Sequence, residues 1–557
     1  MKSRILRGPW NKMSIARPRE LVCAAFLTLF CVCPCVRAMP TSARLAEKVV
    51  KAWLKANPQP LETNLSQRVG GVEPFVGTEG QTVYYIVNLR PEGFVIVSAD
   101  DLVEPIIAFS ANGVYESSPD SPFTTLVNHD MPSRLSVVRR PRKTDDRAIE
   151  KLSQAEKALQ KACARARDKW GRFSRDEKSG SGAEVSDFSA ESDEITFMAS
   201  SISDVRVGPL IQSKWHQMDV CGQRLYNYYT PENFPCGCMP TAMAQLIRYH
   251  EYPTVGVGTD CFTVWVESDK ENLCLRGGDG NGGPYEWALM PLTPGCGTTE
   301  EQRRAIGALC YDAGVASDTG YYAGGSGTDV DDAIDALKRT FHYRSAIYGA
   351  NSGNDIGPGL RTMINPNLDA GYPTLFGIIT SDTRGHAVLC DGYGYDTSTL
   401  YHHINIGYGG HNDAWYTLPE IADYNFVVAC VYNIFPFHLG EVISGRTVDE
   451  LGNPIAGVTV TARSNNAADH EALTNEKGIY ALARIRSNTS YTVDAKKKGY
   501  RFTSLSVTTR RSQDFQKSAG NVWGLDFAGV AASDADFNRD GIVNLLDFSI
   551  LVEGWLE

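Results

Sequence analysis

The side chain in this sequence best placed for nucleophilic chemistry is Cys238. It lies in FPCGCMPTAMAQLIRYHEY (234–252), where a turn-forming run ends in two cysteines around a glycine. Ala242, Met243, Leu246, Ile247 and Tyr249 recur at three- and four-residue steps, which predicts a helix beginning at Cys238. A helix N-terminus offers unpaired backbone N–H groups and the positive end of the dipole. A thiol there deprotonates more readily and attacks better near neutral pH. The same features also suit a disulfide cysteine that precedes a helix. Nucleophilic chemistry further needs a base, an orienter for the base, and donors for a developing oxyanion.

Ten histidines are available as the base. His250 closes the predicted helix about three turns from Cys238 and so faces elsewhere. His402 and His403 fall mid-strand, where one of them is expected in the core. His386 follows Arg384-Gly385 and opens a strand, a boundary from which the ring can face a cleft. It stands 148 residues after Cys238, near the Cys–His separation of papain-like proteases, although such spacings transfer poorly between families. Asp391-Gly392-Tyr393, Asn405 and a Gly-aromatic-Gly-Gly run at 407–410 keep it company.

A second constellation ends the chain. DADFNRDGIVNLLDFSILVEGWLE (534–557) has side-chain oxygens at Asp536, Asn538, Asp540 and Asn544 and a backbone carbonyl at Ile542. Gly541 allows the sharp turn, and Asp547 closes the loop where a helix starts. This is the spacing of an EF-hand loop with Asp in the last place, so Ca2+ is the expected ion. A polar turn before a helix is the plainer alternative.

The elements that must position these groups make several domains of the 557 residues. A net charge of −11 speaks against nucleic acid as the main partner, and 43% hydrophobic residues allow large cores. A basic segment at 1–20 (with Met13 as an alternative start), an apolar run at 21–33 and Val36-Arg37-Ala38 have the layout of a secretory signal peptide cut after Ala38. The run is short for a membrane span and no other stretch approaches one, so a secreted, extracellular or cell-surface protein is expected. Of fourteen cysteines, Cys23, Cys31, Cys33 and Cys35 would leave with the signal. The cluster Cys221, Cys236, Cys261, Cys274, Cys296 and Cys310 has no connectivity legible from sequence.

Residues 39–200 begin with an amphipathic helix (43–57), then strands at 82–89, 93–100 and 105–110, an α+β unit. Charges of both signs alternate over 139–175, and 178–194 is polar, which predicts a solvated helix and then a protease-accessible linker. Residues 201–437 read as helices first (238 onward, 300–313 stopped by Gly314, 329–340), then strands at 374–379, 386–395, 400–408 and 426–435. That order predicts an α+β fold with an interface between its two parts. Residues 441–528 alternate apolar and polar between the turns LGNP, NEKG and KKKG, a small β-sandwich. Residues 533–557 are the loop–helix segment.

Five ordered blocks resemble the streptopain family of secreted bacterial cysteine endopeptidases, within the papain-like superfamily. They are GPLIQSKWHQ (208–217), GCMPTAMAQLIRYHEYP (237–253), YDAGVASDTGYYAGGSGT (311–328), GHAVLCDGY (385–393) and HHINIGYGGHNDAWY (402–416). Residues 83–110 resemble that family's inhibitory propeptide. The resemblance implies a papain-like catalytic domain, with Cys238 as nucleophile and His386 as general base. It implies Gln217 and the Cys238 N–H as oxyanion donors, Asn405 as orienter, and Ser326, Gly327 and Gly385 along the substrate cleft. No cofactor is implied for catalysis, and substrates are expected to be proteins or peptides. Two departures stand out: Met239-Pro240 replaces Val-Ala after the cysteine, and Ile406 replaces a tryptophan near the histidine. Cys236 is extra, open to a disulfide with a distant cysteine or with Cys238 itself. The sandwich resembles carboxypeptidase-regulatory-like domains. Residues 533–557 resemble one dockerin-type repeat where two are usual, implying a cohesin-like or cell-surface partner. The alternatives are a non-catalytic surface or binding protein on a decayed peptidase fold, and a cell-wall amidase of related fold. A thiol-reactive peptide inhibitor separates out the first, and casein against peptidoglycan the second.

Overall fold

The computed structural model describes residues 39–118, 121–139, 154–175, 203–352, 354–379, 385–418, 427–531, 535 and 543–556. The expected signal peptide (1–38) and the 178–200 linker lie outside them. The first helix, Ala43–Ala56, buries Ala46, Val49, Val50, Trp53 and Leu54 along one stripe, and the Ser42 hydroxyl caps it by accepting from Leu45 N at 3.2 Å. It lies beside an antiparallel meander of Arg68–Val76, Thr82–Arg90, Phe94–Ser98 and Ile106–Ser110. The first of these strands was not expected. It sits at the sheet edge, largely uncovered, and register shifts at Val69/Gly71 and Phe75/Val76 break its alternation.

This meander does not close on itself. Ile106–Ser110 pairs antiparallel with Ala414–Tyr416, placing Phe109 opposite Trp415 and Ala108 opposite Tyr416. One 11-stranded sheet therefore runs from the N-terminal unit through Thr399–Asn405, Gly385–Asp396, Thr374–Ile379 and Val427–Phe435 to Ser345–Ala350. The composition change at 139–200 predicts two domains, but the backbone groups of the edge strand find their partners across that boundary. Trp53 Nε1 and Asn57 Nδ2 each donate to Asp396 at 2.7 Å, a buried anchor of the same junction.

Helices and sheet segregate from Ser203 to Phe435 as expected. Cys238–His250 and Glu300–Ala316 pack together around Met243, Ile247, Ile306 and Leu309. The second helix has a Thr299/Gln302 capping box and runs past Gly314. A Cβ at Gly314 would lie 2.3 Å from the Tyr321 hydroxyl, so this glycine provides close packing and is not a stop signal. Leu360–Asp369 is a helix that Asn and Pro366 mask in the sequence. Residues 441–531 form the expected sandwich of two four-stranded sheets. It is fastened to the sheet domain: Arg446 ion-pairs with Asp204 at 2.8 Å, Ser444 Oγ donates to Asp369 at 2.6 Å, and Asn521 Nδ2 donates to Asn433 at 2.9 Å. Among the described residues no helix is long and apolar enough to cross a membrane.

Candidate active site

Cys238 is the first residue of its helix, and Gly237 before it has φ of 99°. A side chain at Gly237 would meet the Ser326 carbonyl oxygen and Pro240 Cδ at 3.2 Å, so glycine is needed both for the left-handed turn and for close approach. Pro240 falls in the first turn, where its missing N–H has no partner to lose. The half-buried thiol receives the backbone N–H of Ala387 at 3.4 Å. Burial raises its pKa, but the charge and hydrogen bond of His386 and the N–H groups of Ala387 and Met239 outweigh that and lower it from 9.0. His386 responds in the opposite sense. Burial alone would lower its pKa; the Cys238 charge and hydrogen bond and the Ile406 carbonyl raise it above 6.5. The pair is thus biased toward thiolate and imidazolium.

The second ring nitrogen, His386 Nε2, donates to the carbonyl oxygen of Ile406 at 3.3 Å. The side chain of Asn405 is engaged elsewhere, so its expected role of orienting the ring is carried by backbone. Asn405 Oδ1 accepts from Gly407 N at 3.0 Å and from Gln245 Nε2 at 3.1 Å, and its Nδ2 donates to Ser213 O at 3.2 Å. Gly407 N–H and the Ile406 carbonyl belong to one peptide unit, so Asn405 holds the plane that aims the carbonyl at the ring. Asp413 holds the preceding peptide by accepting from Ile406 N at 2.9 Å, and it pairs with Lys214 at 2.7 Å.

Gln217 lies alongside the nucleophile loop, its carbonyl accepting from Cys236 N at 2.9 Å. Ser326 Oγ donates to Pro235 O at 2.6 Å, seating its loop against 235–237, and Gly327 bridges back to Gly320. Gly385 opens the strand Gly385–Asp396 and is exposed. Cys236 is a buried free thiol 3.2 Å from Thr241 Oγ1 and in contact with the Cys310 thiol, and Cys238 is also free. Among the described residues the disulfides are Cys221–Cys296 and Cys261–Cys274, and no bond joins Cys236 to Cys238. The two mid-strand histidines are held away from the thiol: His402 Nε2 donates to Asn365 Oδ1, and His403 pairs with Asp391 at 2.6 Å.

Of the six expected calcium ligands, Asp536, Asn538, Asp540 and Ile542 lie outside the described residues. Asn544 Oδ1 accepts from Leu546 N at 2.7 Å and Asp547 Oδ2 from Asn544 N at 2.8 Å, reciprocal caps on Leu545–Leu556. Helix capping accounts for these contacts, which carry no argument for a metal.

Sequence reasoning missed Gln245, Ile406 as a carbonyl acceptor, and Asp413. Gln245 had a signal: a polar residue on the apolar face of the Cys238 helix.

Residues 221–416 match the family model for the Peptidase C10 family. The chain carries a peptidase C10 domain. Residues 38–129, ahead of the C10 domain, match the Spi protease inhibitor model, and residues 442–518, behind it, the carboxypeptidase regulatory-like domain. Among curated proteins the chain is similar to the thiol protease/hemagglutinin PrtT of Porphyromonas gingivalis, 27% identical over 174 residues, covering 31% of this chain and 19% of that protein. It is also similar to streptopain of Streptococcus pyogenes serotype M1, 25% identical over 193 residues, 33% of this chain and 46% of that protein. The chain thus spans less than half the length of these relatives. Among solved structures, a Prevotella intermedia prointerpain A fragment is 20% identical with a TM-score of 0.41, covering 65% of this chain and 97% of that one. Active interpain A of the same organism is 23% identical with a TM-score of 0.33, covering 41% and 94%.

Proposed function

We propose that this protein is a secreted cysteine endopeptidase made as a zymogen. The observation that carries the reading is the Cys238 thiol at a helix N-terminus, hydrogen-bonded to His386, with the two pKa values displaced toward the ion pair. The thiolate attacks a peptide carbonyl, and the Cys238 N–H and the Gln217 side chain hold the oxyanion. Imidazolium protonates the departing amine, leaving a thioester. His386 then takes a proton from water, and hydroxide attack on the thioester releases the acid and regenerates the thiolate–imidazolium pair.

The zymogen part of the reading draws on the inhibitor-like N-terminal match and on the anchors of that region at Asp396 and at the 411–413 turn, where Ser110 Oγ donates to Asp413 O at 2.7 Å. Activation cleavage belongs in 178–200, since Ser203–Val207 is a strand paired with Gly385–Asp396. Likeness to the family suggests protein substrates with a hydrophobic side chain near the scissile bond. The C-terminal modules serve attachment to a cell surface or partner, with Ca2+ bound at 536–547. Calcium titration followed by the helical signal tests that part, and a helical signal indifferent to calcium would contradict it. Casein cleavage by the processed protein, abolished in Cys238→Ser, tests the activity. Inhibitor labelling that fails after processing and reduction would favour the non-catalytic alternative.

A further inference from the structure

Gln245 sits seven residues beyond Cys238 on the same helix and is 0% exposed. Packing alone would be met there by Met or Leu. Its amide instead hydrogen-bonds through both its oxygen and its nitrogen. Oε1 accepts from Ser213 Oγ at 3.0 Å and from Trp215 N at 3.2 Å, and Nε2 donates to Asn405 Oδ1 at 3.1 Å. The orientation of the amide is fixed by its neighbours: Trp215 N can only donate, and Asn405 Oδ1 already accepts from Gly407 N.

Gln245 and its partners join three different pieces of the site. The helix carries Cys238, the 213–217 segment carries Gln217, and the 405–407 turn carries the carbonyl that orients His386. We propose that Gln245 is a positioning residue that holds nucleophile helix, oxyanion segment and base-orienting turn in one register. It touches neither thiol nor substrate. This assignment rests on the peptidase reading above. Losing the Nε2 donor frees Asn405 Oδ1 to turn from Gly407, the Ile406 carbonyl swings, and the imidazole loses its fixed acceptor. Losing Oε1 releases Trp215 N and with it the segment bearing Gln217.

The test uses the full chain as wild type, Gln245→Met, Gln245→Glu and His386→Ala, read by the rate of Cys238 alkylation with iodoacetamide against pH. Near-UV circular dichroism reports the fold, and peptide turnover is measured after processing. In folded Gln245→Met the alkylation profile moves toward that of an ordinary thiol, and kcat falls about a hundredfold with KM nearly unchanged. Gln245→Glu keeps the acceptor contacts but lacks the donor while ionised, so it shows the same defect at neutral pH and recovers toward acid pH, where the protonated acid donates to Asn405. A merely structural glutamine would lower the melting temperature and leave both profiles in place. Wild-type profiles in the glutamine variants overturn the proposal, and if Gln245→Met does not fold, Gln245→Glu alone decides it. A wild-type alkylation profile indifferent to His386→Ala would instead sink the peptidase reading, and the Gln245 assignment with it.

Discussion

His386 Nε2 lies 3.3 Å from the carbonyl oxygen of Ile406, so the base is oriented by backbone and not by a side chain. The residue that replaces the family's tryptophan therefore orients the ring whatever its side chain, which is itself 1% exposed in the core. Ile406→Val should keep kcat/KM within about threefold, whereas Asn405→Ala, which frees the Gly407 N–H, should lower it by about ten- to a hundredfold. Steady-state kinetics on both variants checks the contrast, and equal losses would contradict backbone orientation.

The displaced pair sets the pH dependence. The Cys238 thiol sits below 9.0 and the His386 imidazole above 6.5. Activity should rise as pH climbs through the lowered thiol value and fall as it passes the raised imidazole value, a bell-shaped profile. His386→Ala removes the charge that lowers the thiol, so Cys238 alkylation near pH 6 should slow toward that of a free thiol. An unchanged alkylation rate would count against the pair.

Gly314→Ala tests the close packing of Glu300–Ala316 on Tyr321. The added methyl must displace the Tyr321 hydroxyl, which is 2.3 Å from its position. Overpacking of this kind should cost about 1–3 kcal/mol, read as a lowered denaturation midpoint. An unchanged midpoint would mean that the helix yields freely there.

His402 makes an acid-side prediction. Burial, aided by the Arg361 charge, lowers its pKa from 6.5 to about 3, so the folded protein carries it neutral while the unfolded chain protonates. Its contribution is present in full above pH 6.5 and is lost as pH falls toward about 3. His402→Gln retains a donor for Asn365 and should flatten that part of the melting-temperature curve. A slope identical to wild type would place the acid sensitivity elsewhere.

Much of this was legible in the sequence because it is local. The Cys238 helix follows from the spacing of Ala242, Met243, Leu246 and Ile247, and the strand that presents His386 from its turn-bounded apolar run. What could not be read is non-local. The sequence contains no sign that Phe109 pairs with Trp415 across the linker, since any strand edge can accept a partner. Gly314 reads as a stop until Tyr321 is seen against it. Asn405 reads as an orienter by its type, but its carboxamide acts on the Gly407 N–H, one peptide away from the ring. Gln245 was visible as a polar residue on an apolar face, and only its three partners show what it holds.

The most direct test expresses wild type and Cys238→Ser side by side and follows intact mass and casein hydrolysis over time. Wild type should lose its N-terminal region by cleavage within 178–200 and then digest casein, while Cys238→Ser should stay full length and inert. Processing of both proteins alike, or a processed and reduced wild type that leaves casein intact, would contradict it.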